Sequence, residues 1–353
     1  MFSVLPFSYL FMAVMGMGTL LALSSFHWLS IWAGLEINLI GFLPMLVYQK
    51  STSESESAVK YFVVQALGSS MLIFGSLVSF SMSFTWDLHV MSPFYSAGLL
   101  LILGGLCMKL GLFPFHYWLP SVMAGLPWVT CMLLATWQKL APLFLLLCIL
   151  ELNDSYVLAL VLCSMSAGSS IIGGVGGMNQ TQVRALLAYS SIGHLGWMTF
   201  ALLHSEWSMK FYLLVYIVVS AFMFISLLKV NMGSMKNISS LKDFGVIQVS
   251  IMLFLLSLGG LPPLLGFLSK WLVILVSSGN AFTSFLFFLI LGSLMSLFYY
   301  LSLFFSILLG GMKKAFTKSL SFSAVTHRAL ISSVVLNLVG GVIIVFSNLF
   351  HVL

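Results

Sequence analysis

An all-α polytopic membrane protein is the fold class this sequence predicts, and three observations predict it. The chain of 353 residues is 61% hydrophobic and only 6% charged, whereas a soluble domain carries about 25% charged residues. Its mean hydropathy is +1.13. Apolar windows long enough to cross a bilayer recur along its whole length, separated by short polar breaks. A single transmembrane domain over 1–353 is therefore expected. The net charge of +6 does not argue for nucleic acid, because the basic residues fall in short loops, where membrane topology accounts for them.

About eleven helices are expected, near 3–23, 26–48, 58–83, 94–118, 127–148, 156–178, 180–203, 208–230, 244–276, 280–309 and 326–352. The first lacks the basic start and small-residue cleavage site of a secretory signal and is long enough to span. The second carries Glu36. Before the third stands STSESESA (Ser51–Ala58), read as a solvated connector. The fourth combines Gly-Gly, proline and Lys109, and the fifth holds Lys139. The sixth ends in IIGGVGGM (Ile171–Met178), which follows no strand and lacks a phosphate-loop lysine, so close helix packing or a helix end is expected. The seventh holds His194, and the ninth repeats Gly-Gly and proline with Lys270. Cys107, Cys131, Cys148 and Cys163 lie in apolar runs without a C-x-x-C pair, as buried small hydrophobes do.

If these helices alternate, one side collects Lys50, Lys60, Arg184, Lys229, Lys236, Lys242, Lys313, Lys314, Lys318 and Arg328. The other holds only Lys210, beside Asp87, Glu151, Asp154 and Glu206. The positive-inside rule then puts the N-terminus on the basic side and the C-terminus opposite.

Four charges carry the functional signal. Glu36, Lys109, Lys139 and Lys270 lie deep in apolar stretches, where each costs roughly 2.5–3.5 kcal/mol on the insertion scale. At about 1.5 Å per residue, Glu36 lies ~15 Å and Lys139 ~18 Å into its helix, too deep to snorkel easily, and Lys109 lies ~22 Å in, close to the break at Pro114. Such charges persist when paired, hydrated or used, and burial brings their proton exchange towards neutral pH. A Glu36–Lys109 ion pair is expected.

Leu99–Pro120 (LLLILGGLCMKLGLFPFHYWLP) and Leu255–Val273 (LLSLGGLPPLLGFLSKWLV) resemble each other. Proline breaks the helical ladder, and in lipid the freed carbonyls must find a partner or water. The two segments are an odd number of helices apart and cross in opposite directions. This is the mark of inverted repeats, near 1–150 and 151–310, each with a broken helix, followed by the C-terminal helix at 326–352.

His194, among Tyr189, Ser190 and Ser191, is read either as a hydrogen-bonded structural histidine or as a relay. His116, beside Pro114, leans towards function. His27, His89, His204, His327 and His351 lie near helix ends and read as interfacial. The histidine spacings do not match a bis-histidine haem site, and neither a metal cluster nor a nucleophile–base arrangement is found.

WAGLEINLIGFLPML (Trp32–Leu46), MKLGLFPFHYWLP (Met108–Pro120), TWQKLAP (Thr136–Pro142), YSSIGHLGW (Tyr189–Trp197) and LGGLPPLLGFLSKW (Leu258–Trp271) stand in the order of a known family. Through them the chain resembles the antiporter-like membrane subunits of mitochondrial NADH:ubiquinone oxidoreductase, respiratory complex I. The resemblance implies a proton-translocating subunit, shortened at its N-terminus as in animal mitochondria. It implies the mitochondrial inner membrane, with the N-terminus in the matrix and the C-terminus in the intermembrane space. Glu36 and Lys109 match the family's ion pair, Lys139 its central lysine and Lys270 its exit-side lysine. His194 matches a histidine of the family's helix segment. It implies that no cofactor binds this chain and that NADH, FMN, iron–sulfur clusters and ubiquinone are used by other subunits of the complex. The partners implied are the other membrane-arm subunits, a neighbouring antiporter-like subunit among them, and membrane lipids. One departure is Ser121, where many relatives carry an acid.

Two other readings compete. One is a stand-alone cation/proton antiporter, against which the lack of an extra intramembrane acidic cluster argues. The other is a non-conducting structural subunit, against which the four retained buried charges argue.

Overall fold

In the computed structural model the described residues are 7–48, 51–84, 86–87, 96–152, 155–230, 245–279, 282–311 and 331–342. They form helices and connecting turns. Seven helices are long and apolar enough to cross a membrane, and five shorter apolar helices accompany them among the described residues. Lys50, Lys236, Lys242, Lys313, Lys314, Lys318, Arg328, Asp154, His89, His327 and His351 lie outside the described residues.

The chain divides into two compact units, Met1–Met165 and Ser166–Leu353. In the first, α1 (Ser8–Ser24) lies against α2 (Trp28–Leu46), and α3 (Thr52–Ser83) against α4 (Ser96–Leu110). Small residues bring these backbones together, as is usual where lipid supplies no hydrophobic drive. A Cβ at Gly34 would fall 2.6 Å from the Ala22 nitrogen, and one at Gly75 2.9 Å from the Gly98 oxygen. Then follow α5 (Trp118–Gly125), α6 (Trp128–Ala135), α7 (Trp137–Leu152) and the first half of α8 (Tyr156–Met178).

The second unit continues through the rest of α8 with α9 (Val183–His204), α10 (Glu206–Val230), α11 (Gly245–Gly259), α12 (Leu265–Ser277), α13 (Thr283–Gly311) and a short helix, α14 (Ile331–Val342). The IIGGVGGM glycines serve close packing. A Cβ at Gly173 would meet the Gly193 backbone of α9, and one at Gly174 would meet Gly292 of α13.

Several elements differ from expectation. STSESESA is not a connector. It forms the first turns of α3, where the Ser51 hydroxyl accepts from the Glu54 N–H at 3.3 Å. An N-cap serine and acidic residues at a helix start are stabilising, and Glu54 and Ser57 are buried. The fourth helix carries the break expected of it, ending at Leu110 and resuming as α5 at Trp118. The fifth is interrupted at Thr136. Pro142, six residues on, has no N–H for the Gln138 carbonyl and crowds that turn. Cys107, Cys131 and Cys163 are buried as expected, but Cys148 is exposed; none of these four is in a disulfide. Of the expected C-terminal helix, 331–342 is helical and the remainder lies outside the described residues.

Candidate functional site

Both proline-containing breaks are built alike. At the end of α4, Gly111 takes a left-handed φ of 77°, which an L side chain adopts only with strain. Its N–H reaches the Cys107 and Met108 carbonyls at 3.0 and 3.2 Å, and the Leu112 N–H reaches Cys107 at 3.1 Å. At the end of α11, Gly260 has φ 80°. Its N–H reaches Leu256 and Ser257 at 3.1 and 3.0 Å, and the Leu261 N–H reaches Leu256 at 3.2 Å. Pro114 and Pro263 follow at the same offset from each glycine. These turns close part of the helix end, as glycine caps do.

In the first unit, Glu36 of α2 and Lys109 in the last turn of α4 approach to 3.9 Å between Oε1 and Nζ. That is ion-pair reach but longer than a hydrogen bond. The lysine side chain is 4% exposed and the glutamate 24%. Gly68 of α3 makes room for the lysine: a Cβ there would lie 3.1 Å from Lys109 Cγ. Gln65 Nε2 donates to the Lys109 carbonyl at 3.3 Å, and Trp118 Nε1 to the Met108 carbonyl at 3.1 Å. Carbonyls left over by the break are thus held by side chains.

A small cavity beside Lys109 is lined by Asn38, Tyr61, Gln65, Gln138 and Pro142, with room for about one water. Asn38 and Gln138 exchange amide hydrogen bonds at 2.8 and 3.3 Å, joining α2 to α7. Lys139 follows Gln138 and is buried, 4% exposed, in the first turn of α7. His116 sits in the first break, buried, its ring centroid 4.0 Å from that of Tyr117. Its Nδ1 makes no hydrogen bond of good geometry, although the Pro114 backbone is close.

In the second unit Lys270 of α12 turns back onto the break and donates to the Gly259 carbonyl at 3.0 Å. The Gly259 carbonyl beside the break thus finds its partner in the ammonium itself. The corresponding offset in the first break is occupied by Ser121, exposed, whose Oγ donates to the Trp118 carbonyl at 2.9 Å. A second cavity of similar size is lined by Ser190, His194, Trp197, Lys270 and Tyr300, again with room for about one water. His194 Nδ1 is 2.9 Å from the Tyr212 hydroxyl, and its ring centroid is 5.2 Å from that of Tyr216. His194 and Lys270 thus share a cavity within one unit, and Glu36 and Lys109 form a pair within the other.

The buried tyrosines around His194 were not singled out by sequence, because tyrosine in an apolar helix reads as bulk. The break before Lys139 was also missed; Pro142 within TWQKLAP is the signal for it. Of the remaining histidines, His27 pairs with Asp87 through Nδ1 and Oδ1 at 2.5 Å, both side chains exposed. His204 ends α9.

The family described as NADH:quinone oxidoreductase/Mrp antiporter, TM, matches residues 25–298. The chain is 40% identical to NADH-ubiquinone oxidoreductase chain 2 of Lumbricus terrestris over 301 residues, 84% of this chain and 86% of that protein. It is 37% identical to the protein of that name from Locusta migratoria, over 84% of each. Its fold is similar to a chain of respiratory complex I from Thermus thermophilus solved with bound aureothin. That match has TM-score 0.83 and 26% identity and covers 95% of this chain and 78% of that one. A chain of the Mrp complex from Dietzia sp. shares the fold at TM-score 0.75 and 17% identity, covering 86% of this chain and 60% of that one.

Proposed function

The chain belongs to the NADH:quinone oxidoreductase/Mrp antiporter transmembrane family, and from that premise we propose that it is a proton-translocating membrane-arm subunit of respiratory NADH:ubiquinone oxidoreductase. Electrons pass through NADH, FMN, iron–sulfur clusters and ubiquinone in other subunits, and this chain couples to them through conformation and charge. Its neighbours are other membrane-arm subunits, an antiporter-like one among them. Its location is the mitochondrial inner membrane, with the N-terminus in the matrix and the C-terminus in the intermembrane space. The names of its animal relatives support this location, and the basic loops support the orientation.

One observation carries the reading. The three buried lysines among the described residues stand at interruptions of their helices: Lys109 just before Gly111, Lys139 just after Thr136, and Lys270 docked on Gly259. A break is where a membrane helix has polar backbone and space for water, and there a buried ammonium can gain and lose a proton. Glu36 and Lys109 lie within ion-pair reach, so a change of charge on one member alters the field at the other. We read the order of transfer as Glu36–Lys109, then Lys139, then Lys270, with His194 and His116 as auxiliary groups. The matching glycine turns support a description of the two halves as inverted repeats.

Lys139→Met tests the reading, since it nearly keeps side-chain volume and removes a buried charge. Assembly should persist while proton translocation per assembled complex falls on the order of tenfold. Poor assembly combined with normal pumping by the residual complex would show that this lysine is structural.

A further inference from the structure

The tyrosines of α13 are not used by the scheme above, yet one of them lines the cavity of its third lysine, Lys270. Tyr299 and Tyr300 are consecutive and both buried, 2% and 1% exposed. They point to different neighbours. A Cβ at Gly177 would meet the Tyr299 ring, so Tyr299 packs on α8. A Cβ at Gly259 would lie 3.6 Å from Tyr300 Cδ2, so Tyr300 packs on the residue whose carbonyl Lys270 holds. Tyr300 also lines the cavity that contains His194 and Lys270, and Tyr299 does not.

The Tyr300 hydroxyl is buried and closes no hydrogen bond of good geometry, with the Ser190 and Tyr299 hydroxyls as neighbours. A buried O–H that can both donate and accept is costly to leave unsatisfied. The cavity beside it is polar and has room for about one water. His194, which lines the same cavity, is anchored through Nδ1 to Tyr212.

We propose that the Tyr300 hydroxyl is a proton-relay group serving Lys270, a role that rests on the proton-translocating reading. The phenol gives its O–H proton towards Lys270 through cavity water and takes another from the side of His194. One O–H bond breaks as another forms, no electron moves, and the hydroxyl is regenerated. Because the phenol never carries net charge in this exchange, it suits a position where a second buried ion would be costly.

The test uses the assembled complex in proteoliposomes, oxidising NADH with a soluble quinone, and compares Tyr300→Phe, Tyr299→Phe and Lys270→Met. Phenylalanine at 300 keeps the ring over Gly259 and removes only the hydroxyl. Tyr300→Phe should slow proton translocation per complex on the order of tenfold and enlarge the rate ratio between H2O and D2O. Tyr299→Phe should slow translocation less than Tyr300→Phe, since its ring packs on α8 and its hydroxyl only neighbours that of Tyr300. Tyr300→Phe pumping at the wild-type rate and isotope ratio, with Lys270→Met impaired, overturns the relay and leaves the subunit's function standing. Reduced assembly of Tyr300→Phe with normal pumping per complex overturns it equally, in favour of a packing role. Lys270→Met pumping normally overturns the underlying reading and the relay with it.

Discussion

Lys270 separates two roles that a buried lysine can play, holding charge and passing a proton. Its ammonium is already hydrogen-bonded to Gly259, so a fixed cation there has a structural use: it satisfies a carbonyl that the broken helix leaves over. Arginine in its place keeps the cation and has donors for the carbonyl, but it does not deprotonate at accessible pH. Lys270→Arg should therefore assemble and yet translocate protons on the order of tenfold more slowly. If it pumped at the full wild-type ratio, direct transfer through this side chain would be excluded and only its electrostatic effect would remain. At this scale much was legible in the sequence. Glu36, Lys109, Lys139 and Lys270 stand out because a lone charge in an apolar run is expensive, and the Glu36–Lys109 approach of 3.9 Å follows from that expense. The contacts of His194 were not legible. Tyr212 and Tyr300 are distant in sequence, and nothing in their own helices marks them as polar neighbours of a histidine.

Helix breaks are the elements that position these residues, and glycine makes two of them. Gly111 and Gly260 both need a left-handed φ, in which alanine costs roughly 1–2 kcal/mol. At Gly260 the added methyl meets more than strain, because it would come within 3.0 Å of Lys270 Nζ. At Gly111 the tightest contact is Leu119 Cδ1, also at 3.0 Å, and the Trp118 ring lies 3.4 Å away. Gly260→Ala should therefore displace the lysine from the Gly259 carbonyl and lower pumping per complex. Gly111→Ala should act chiefly on stability. Thermal unfolding of the assembled variants, read beside their pumping rates, checks the contrast; equal effects on both readouts at the two sites would refute it. Gly-Gly with proline and lysine was enough to expect these breaks. The interruption before Lys139 has only Pro142 to announce it. In a helix expected over 127–148 Pro142 is an interior proline, which signals a kink or break without fixing where it falls. The start of α3 was hidden for the opposite reason: serine and glutamate read as solvent-loving, but here they cap a helix and are partly buried.

The whole molecule distinguishes a subunit from a self-sufficient antiporter. Lys109 and Lys139 in the first unit and Lys270 in the second are buried, while large apolar side chains face outward. Along α13, Phe287, Phe288, Leu294, Phe298 and Phe305 are exposed, and Phe62, Leu67 and Phe74 are exposed along α3. Such surfaces suit lipid or neighbouring helices, and polar side chains there would be costly. The energy for translocation must also come from somewhere. A cation/proton antiporter draws it from a cation gradient and needs a site that binds the cation. The buried polar groups found beside the lysines here are amides, hydroxyls and a histidine, and the carboxylate near Lys109 is engaged by that lysine. The chain alone, reconstituted in liposomes, should therefore show no proton movement in response to a sodium or potassium gradient. Within the assembly, proton uptake should follow NADH oxidation. On native gels the chain should run in a particle far larger than its own 38.8 kDa. Cation-driven proton exchange by the isolated chain, at rates comparable with those of the NADH-driven assembly, would favour the antiporter reading.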